Sequence, residues 1–450
     1  MLRQPNARRR EHTRVNPTKL IEALRRHYDS HSDTYFMRAI HFLWLLTGDV
    51  GYLMTFLVPK NQNLWVFGSW FGEKYTDNSK YLFEYVSKNH PELRAVWLTR
   101  DKTTSDFVRG RGFEAHLIDS LQGLLLRIRA STVIFDTGPR DLNSFSSRAP
   151  ARAKIVELWH GTPLKKILFD GPLYLIPDPT SKQKRLFPRF RLLHFSKHTS
   201  SDELYIAASQ EAKNKLTTAF RAPPERVAVT GYPRTDSLFG FGRERSPLLD
   251  RLDDLKKKRF VIGLYMPTHR QEGKQSIRCL VDDIGKIEPQ LAELRVVLLV
   301  KLHFWHLQEL QSLDAQFKHI FFVHEEEINQ DIYPILPETD FLITDYSSIY
   351  FDYLLLNKPI IFAPVDMTDY VECDHQLYYN YEDVTPGPKA MNWQRVVECI
   401  DDVVMKSDLY EDERRRVSSM FNAYADGCSS KRVYDAIVTK LLGGNASGSG

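Results

Sequence analysis

The 450-residue chain is 42% hydrophobic and 26% charged, with a formal net charge of +4; this excludes a wholly disordered chain and a polycation, and the length suits two domains. Its four cysteines, Cys279, Cys373, Cys399 and Cys428, form no CxxC pair and no Cys/His cluster at zinc spacing. Neither a disulfide framework nor a structural metal site is expected, which fits a reducing cytoplasm.

Residues 1–60 read as a basic and apolar helical extension. Within residues 1–26, Arg3, Arg8, Arg9, Arg10, Arg14, Lys19, Arg25 and Arg26 stand against Glu11 and Glu22, and a second basic run extends from Lys182 to His198. Such runs serve as solvated surface or attract anionic lipid and phosphate-rich polymers. The apolar stretch 37–59 is interrupted by His41, Gly48, Asp49 and Gly51. A spanning helix needs about 20 mostly apolar residues and a central Asp is costly in it; a signal-peptide cleavage site is also lacking. The expectation is a helical hairpin or interfacial helix, attached peripherally to the cytoplasmic leaflet of the cell membrane. A buried helix pair is the alternative.

From 61 to 240, short apolar runs alternate with amphipathic stretches. NLWVFGSW, RAVWLT, TVIFDTG, KIVELWH, RLLHFSK and RVAVTGY read as strands, with helices at NSKYLFEYVSKNH, SLQGLLLRIRAS and SQEAKNKLTTAF. A charged stretch around Phe239 to Lys258 reads as an interdomain connection. The second unit, 241–440, carries RFVIGLYMPTHR, RVVLLVKLH, FFVHE, DFLITDYSS and KPIIFAP, then closing helices interrupted at Ala425–Gly427. Residues 441–450 form a flexible tail. This order predicts an α/β, GT-B-like chain of two Rossmann-type parallel-sheet lobes facing a cleft.

Ligands of doubly wound sheets bind at the carboxyl ends of the strands, so the polar residues that end the apolar runs are the candidates. KIVELWHGTPLKK delivers His160, then Gly161 for a tight turn. Thr162 and Pro163 suit the N-cap and first position of a new helix, with Lys165 and Lys166 in its first turn facing an anion. RVAVTGYPRTD supplies Arg234 at another strand end. RFVIGLYMPTHR places Thr268, His269 and Arg270 past a strand, and an arginine holds a diphosphate through two hydrogen bonds. RVVLLVKLH ends in Lys301 and His303. DFLITDYSS ends in Thr344 and Asp345, and Ser347 and Ser348 open a helix whose N–H groups and hydroxyls suit an anion. Each signal has a bland counterpart in a core histidine, a surface arginine or a plain helix cap. Their convergence on one cleft points to a phosphorylated donor. There is no P-loop lysine motif, no GxGxxG and no dense carboxylate cluster, which disfavours kinase, dehydrogenase and two-metal readings.

The pieces VFGSWFGEKYTDNSKYLFEY, ELWHGTPLKK, GYPRTD, YMPTHR, KLH and TDYSSIYFDYLLLNKPIIF, in this order, resemble the CDP-glycerol glycerophosphotransferase family of teichoic-acid and capsule synthesis, over roughly residues 64 to 440. The resemblance implies a GT-B fold and a CDP-glycerol or CDP-ribitol donor. The alditol phosphate passes to a hydroxyl of a lipid-linked saccharide or polyol-phosphate acceptor, and CMP leaves. It implies His160 as the general base, a role that suits a group titrating near neutrality, and His303 at the diphosphate or leaving CMP. Thr344, Ser347 and Ser348 would contact the diphosphate with Arg270 assisting, and Asp345 would support the site. The sequence departs from the family at Phe304, where proline is common, and at Leu168, where glycine is common. No cofactor is required by the sequence, and Mg2+ is compatible with a diphosphate donor. A nucleotide-sugar glycosyltransferase and a non-catalytic binder of anionic polymer are the competing readings; the basic runs carry no nucleic-acid recognition module.

Overall fold

The computed structural model describes residues 52, 55–143, 149–171, 203–242, 244–268, 283–302, 317–364 and 376–444. The first lobe holds β1 (Asn61–Phe67), α1 (Asp77–Asn89), β2 (Arg94–Thr99), α2 (Lys102–Gly110), β3 (Ala115–Leu117), α3 (Leu121–Arg129), β4 (Ala130–Phe135), β5 (Lys154–Glu157), β6 (Glu203–Ala207), α4 (Gln210–Phe220) and β7 (Val227–Val229). The second holds α5 (Pro247–Lys257), β8 (Val261–Met266), α6 (Glu288–Glu293), β9 (Val296–Val300), β10 (Ile320–Phe322), β11 (Phe341–Thr344), α7 (Ile349–Tyr353) and β12 (Ile360–Phe362). Helices α8 (Tyr381–Val384), α9 (Trp393–Val404), α10 (Glu411–Phe421) and α11 (Ser429–Leu441) follow.

Among the described residues, every strand pairing within the two sheets is parallel. The sheets run β3-β2-β1-β4-β5-β6-β7 and β10-β9-β8-β11-β12, so each lobe counts outward from its first strand and then reverses. That reversal opens a crevice beyond the carboxyl ends of β1 and β4 in one lobe and of β8 and β11 in the other. Strands buried on both faces need near-continuous apolar runs, and β4 and β9 supply them, with every residue buried. The helices begin where serine or aspartate side chains serve orphan amides: Asp101 accepts from Thr104, Ser120 from Gly123 and Ser209 from Ala212.

Trp65, Phe67, Phe83 and Trp97 form the centre of the first core. In the second, Leu264, Leu342, Tyr350 and Phe362 pack with Tyr81, Leu164 and Leu238 from the first lobe. One hydrophobic cluster therefore runs across the lobe boundary.

Three expectations change. The charged stretch around Phe239 to Lys258 is not only a connection: Ser246 caps α5, Pro247 occupies its first turn, and Leu248, Leu249 and Leu252 are buried in the second lobe's cluster. Its charges lie on the remaining face. The closing helices are not confined to the 241–440 lobe, because Val433, Ile437 and Leu441 of α11 pack into the first core. Strand β6 was not anticipated, its five residues ELYIA being introduced by a buried glutamate. The basic extension, most of the apolar stretch 37–59, the run Lys182–His198 and the predicted strand RLLHFSK lie outside the described residues. Among the described residues, no helix is long and apolar enough to cross a membrane.

Candidate active site

His160 stands three residues past β5, beside the β1/β4 crevice. Its Nδ1 faces the backbone carbonyl of Asp136 at 3.5 Å, an approach that suits a proton on Nδ1 and leaves Nε2 as the basic nitrogen. The ring lies 4.0 Å from that of Trp159 and 6.0 Å from that of Trp70, centroid to centroid. Burial lowers the imidazole pKa below the usual histidine value, Asp77 opposes this, and the Arg234 cation adds to it. A neutral imidazole is the form a general base requires.

The loops behind the histidine are fixed by carboxylates. Asp141 accepts from the amides of Phe71 (2.7 Å), Asp136 (3.0 Å) and Thr137 (2.8 Å), joining the loops after β1 and β4. The fully buried Asp136 carboxyl accepts from the Ser79 amide at 3.0 Å. It thereby serves an orphan N–H of α1, whose own N-cap Thr76 makes no side-chain bond. Sequence reasoning missed Asp77, Asp136 and Asp141. Asp136 had a usable signal, since it directly follows the apolar run TVIF and obeys the same strand-end rule as His160.

In the second lobe Asp345 sits at the β8/β11 crevice. Its carboxylate accepts from the Thr268 amide (2.9 and 3.1 Å) and hydroxyl (2.7 Å). Asp345 therefore anchors the chain leaving β8, and Thr268 is spent on that anchor. Ser347 and Ser348 are half-buried, and neither hydroxyl is engaged by a described residue. Gly161 lies directly opposite. A β-carbon built on it would stand 3.2 Å from Ser348 Oγ and 2.9 Å from Arg234 Nη2, so the two lobes approach at that glycine.

Several candidates take other positions than expected. Thr344 is fully buried and donates its hydroxyl to the Met266 carbonyl at 2.7 Å, bracing β11 against β8 rather than facing a ligand. Arg234 is 3% exposed and held by Asp77 and Asp352. No helix starts at Thr162 and Pro163: Leu164 and Lys166 bond the backbone of Gln376 and Tyr378, and Lys165 bridges Leu377 in antiparallel fashion. Thr162 is buried and caps nothing, and the Lys166 ammonium bonds Gln376 Oε1 at 3.0 Å. The extended pairing wins over the helix because it satisfies backbone groups between the lobes. Lys301, just past β9, is in an ion pair with Glu325 (2.9 Å), which also holds Lys74 of the first lobe at 3.1 Å. Arg270 and His303 lie outside the described residues. Among the described residues, no group of three or more His, Cys, Asp or Glu side chains is arranged to hold a metal ion.

Two Rossmann-type lobes whose strand ends face each other, with a histidine on one side and paired serines on the other, define a GT-B-like transferase architecture. A family model described as CDP-Glycerol:Poly(glycerophosphate) glycerophosphotransferase matches residues 50–439, and the chain belongs to that family. The teichoic acid poly(glycerol phosphate) polymerase of Bacillus spizizenii W23 is 27% identical over 402 residues, covering 86% of this chain and 94% of that protein. The teichoic acid ribitol-phosphate primase of the same strain is 26% identical over 404 residues, covering 87% and 95%. A solved structure of the wall teichoic acid polymerase TagF has the same fold, with a TM-score of 0.66 and 23% identity over 85% of this chain and 90% of that one.

Proposed function

We propose that the chain transfers an alditol phosphate from a CDP-alditol to a hydroxyl of a polyol-phosphate or lipid-linked acceptor, releasing CMP, in teichoic-acid synthesis. CDP-glycerol is the first donor to test and CDP-ribitol the second, since relatives named for each alditol match at similar identity. The observation that carries the reading is the approach of the His160–Gly161 turn to Ser348 across the cleft.

The acceptor oxygen attacks the phosphorus that carries the alditol. A new P–O bond forms, the bridging P–O bond to CMP breaks, and the acceptor proton goes to His160 Nε2. Low proton affinity at His160 keeps that nitrogen free near neutral pH. The hydroxyls of Ser347 and Ser348 donate to the diphosphate. Helix α7 has five residues, so the hydroxyls rather than a helix dipole carry that task. Asp345 positions the Thr268 backbone. His303 and Arg270 keep the roles implied by resemblance, at the leaving CMP and the diphosphate.

Mg2+, where used, would be held mainly by the donor diphosphate and water. Contact with the inner membrane leaflet through the basic and apolar residues 1–60 belongs to the same reading, because a lipid-linked acceptor resides there. The test is phosphorus NMR of the product formed from CDP-glycerol and a short polyol-phosphate acceptor. A new phosphodiester signal together with CMP supports the reading. Transfer of a sugar from a nucleotide sugar, with no phosphodiester formed, would replace it.

A further inference from the structure

Arg234 belongs to the 3-10 turn Pro233–Phe239 that follows β7, and its partners come from both lobes. Nη1 donates to Asp77 Oδ1 at 2.7 Å. Nε and Nη2 both donate to Asp352 Oδ2, at 3.0 and 2.7 Å. Its backbone amide donates to Asn78 Oδ1 at 3.1 Å.

Each partner leads to a working part of the site. The other oxygen of Asp77 accepts from Trp70 Nε1 at 3.1 Å, and the Trp70 ring neighbours His160. Asn78 Nδ2 donates to the carbonyl of Trp159 at 2.7 Å, fixing the residue before His160. Asp352 lies on α7, which begins directly after Ser348, and also accepts from the Tyr333 hydroxyl at 2.6 Å.

Stability alone is a poor account of this arrangement, because a buried ion pair often contributes no more than apolar residues of similar volume. The planar guanidinium fork does something an apolar group cannot: it binds two carboxylates at once in fixed geometry. We propose that Arg234 is a positioning residue coupling the seating of the donor-binding serines to the charge state of His160. Through Asp352 it holds Ser347 and Ser348 opposite Gly161. Through Asp77 it offsets part of the negative charge that favours the imidazolium form of His160, adding to the larger effect of burial. The inference rests on the reading of His160 as the base.

The surroundings of His160 decide the sign. From α1 it faces Asp77, and from the turn after β7 it faces Arg234. From the end of β4 it faces the Asp136 carbonyl, while the Asp136 carboxyl is turned to Ser79 and backed by Asp141. Trp70 and Trp159 are uncharged neighbours, and Asp352 stands behind Arg234. Removing the cation leaves Asp77 uncompensated and favours imidazolium; removing Asp77 does the reverse.

Three full-length variants test the coupling, each followed by the kcat-pH profile, the donor KM and NMR titration of carbon-labelled His160. Arg234→Lys keeps the charge and loses the fork, so donor KM rises while the acid limb stays near wild type. Asp77→Asn moves the limb and the NMR titration to lower pH. Arg234→Gln combined with Asp352→Asn, which avoids leaving Asp352 bare, moves both upward. Opposite shifts in the last two variants support the coupling. Titrations at the wild-type position in all three, with activity following only the loss of folded protein, overturn it. If His160→Gln keeps wild-type turnover, the base reading fails instead, and the NMR titrations still report on the coupling independently.

Discussion

Gly161 of the first lobe and Ser348 of the second stand so close that a β-carbon at 161 would lie 3.2 Å from the serine hydroxyl oxygen. The glycine has φ +140, a backbone state that side chains rarely adopt. Gly161→Ala therefore meets strain of about 1–3 kcal/mol and pushes against the Arg234 guanidinium. The expected outcome is a lower thermal midpoint and kcat/KM reduced roughly tenfold or more, about 1.4 kcal/mol in the barrier. Steady-state kinetics and calorimetry on the purified variant check it; wild-type values for both would mean that the lobes do not work at this spacing.

Asp345 accepts two hydrogen-bond donors from Thr268 while 2% exposed. Asp345→Ala leaves the Thr268 amide without its partner, at a cost of about 1.5–3 kcal/mol for a bond to a charged group. Donor KM should rise together with a loss of stability, read by donor titration and thermal unfolding. A variant that loses turnover at unchanged donor KM would instead place Asp345 in the chemical step.

A second tie between the lobes is more deeply buried. Lys80 of α1 meets Asp331 of the second lobe at 2.7 Å, with side-chain exposures of 3% and 1%, and the Tyr81 hydroxyl donates to the same carboxylate oxygen at 2.6 Å. Lys80→Met strands the carboxylate and should destabilise by about 3–5 kcal/mol. Adding Asp331→Asn removes the stranded charge and should restore much of the loss. Unfolding of the two variants side by side decides the matter, and a double variant no more stable than the single one would refute the charge argument.

Asp136 gives the fold a pH dependence of definite sign. Burial first, then the charges of Asp77 and Asp141, push its carboxyl well above the ordinary 3.8. The folded chain thus holds this proton at pH values where the unfolded chain has released it, so the contribution to stability is full below the unfolded pKa and declines as pH rises through the folded one. Asp136→Asn has no proton to lose. Between about pH 5 and about pH 8 its thermal midpoint should fall less than that of the wild type. Parallel curves would show that the buried carboxyl is ionised throughout.

Much of this arrangement is legible in the sequence because parallel sheets need uninterrupted apolar runs and put their chemistry where those runs stop. RAVWLT coincides with β2, and His160, Lys301 and Asp345 all lie at or just past strand ends. What was not legible depends on distant partners. Arg234 reads as a phosphate ligand until Asp77, 157 positions away, and Asp352, 118 positions away, are seen to claim it. Thr162 and Pro163 carry correct helix-start chemistry, yet the chain stays extended because Gln376 and Tyr378 offer it backbone partners. Thr344 resembled a donor ligand by its place in TDYSS, but its register with Met266 spends the hydroxyl inside the sheet.

The most direct test of the central claim is acceptor-dependent CMP release from CDP-glycerol, and then CDP-ribitol, by the full-length protein and its His160→Gln variant across a pH series. The expected result is CMP release that needs the acceptor, reaches half its plateau below the ordinary histidine value of 6.5 because burial lowers the His160 pKa, and is lost in the variant. CMP release equal in the variant and the wild type, or turnover with neither donor from well-folded protein and several acceptors, would contradict it.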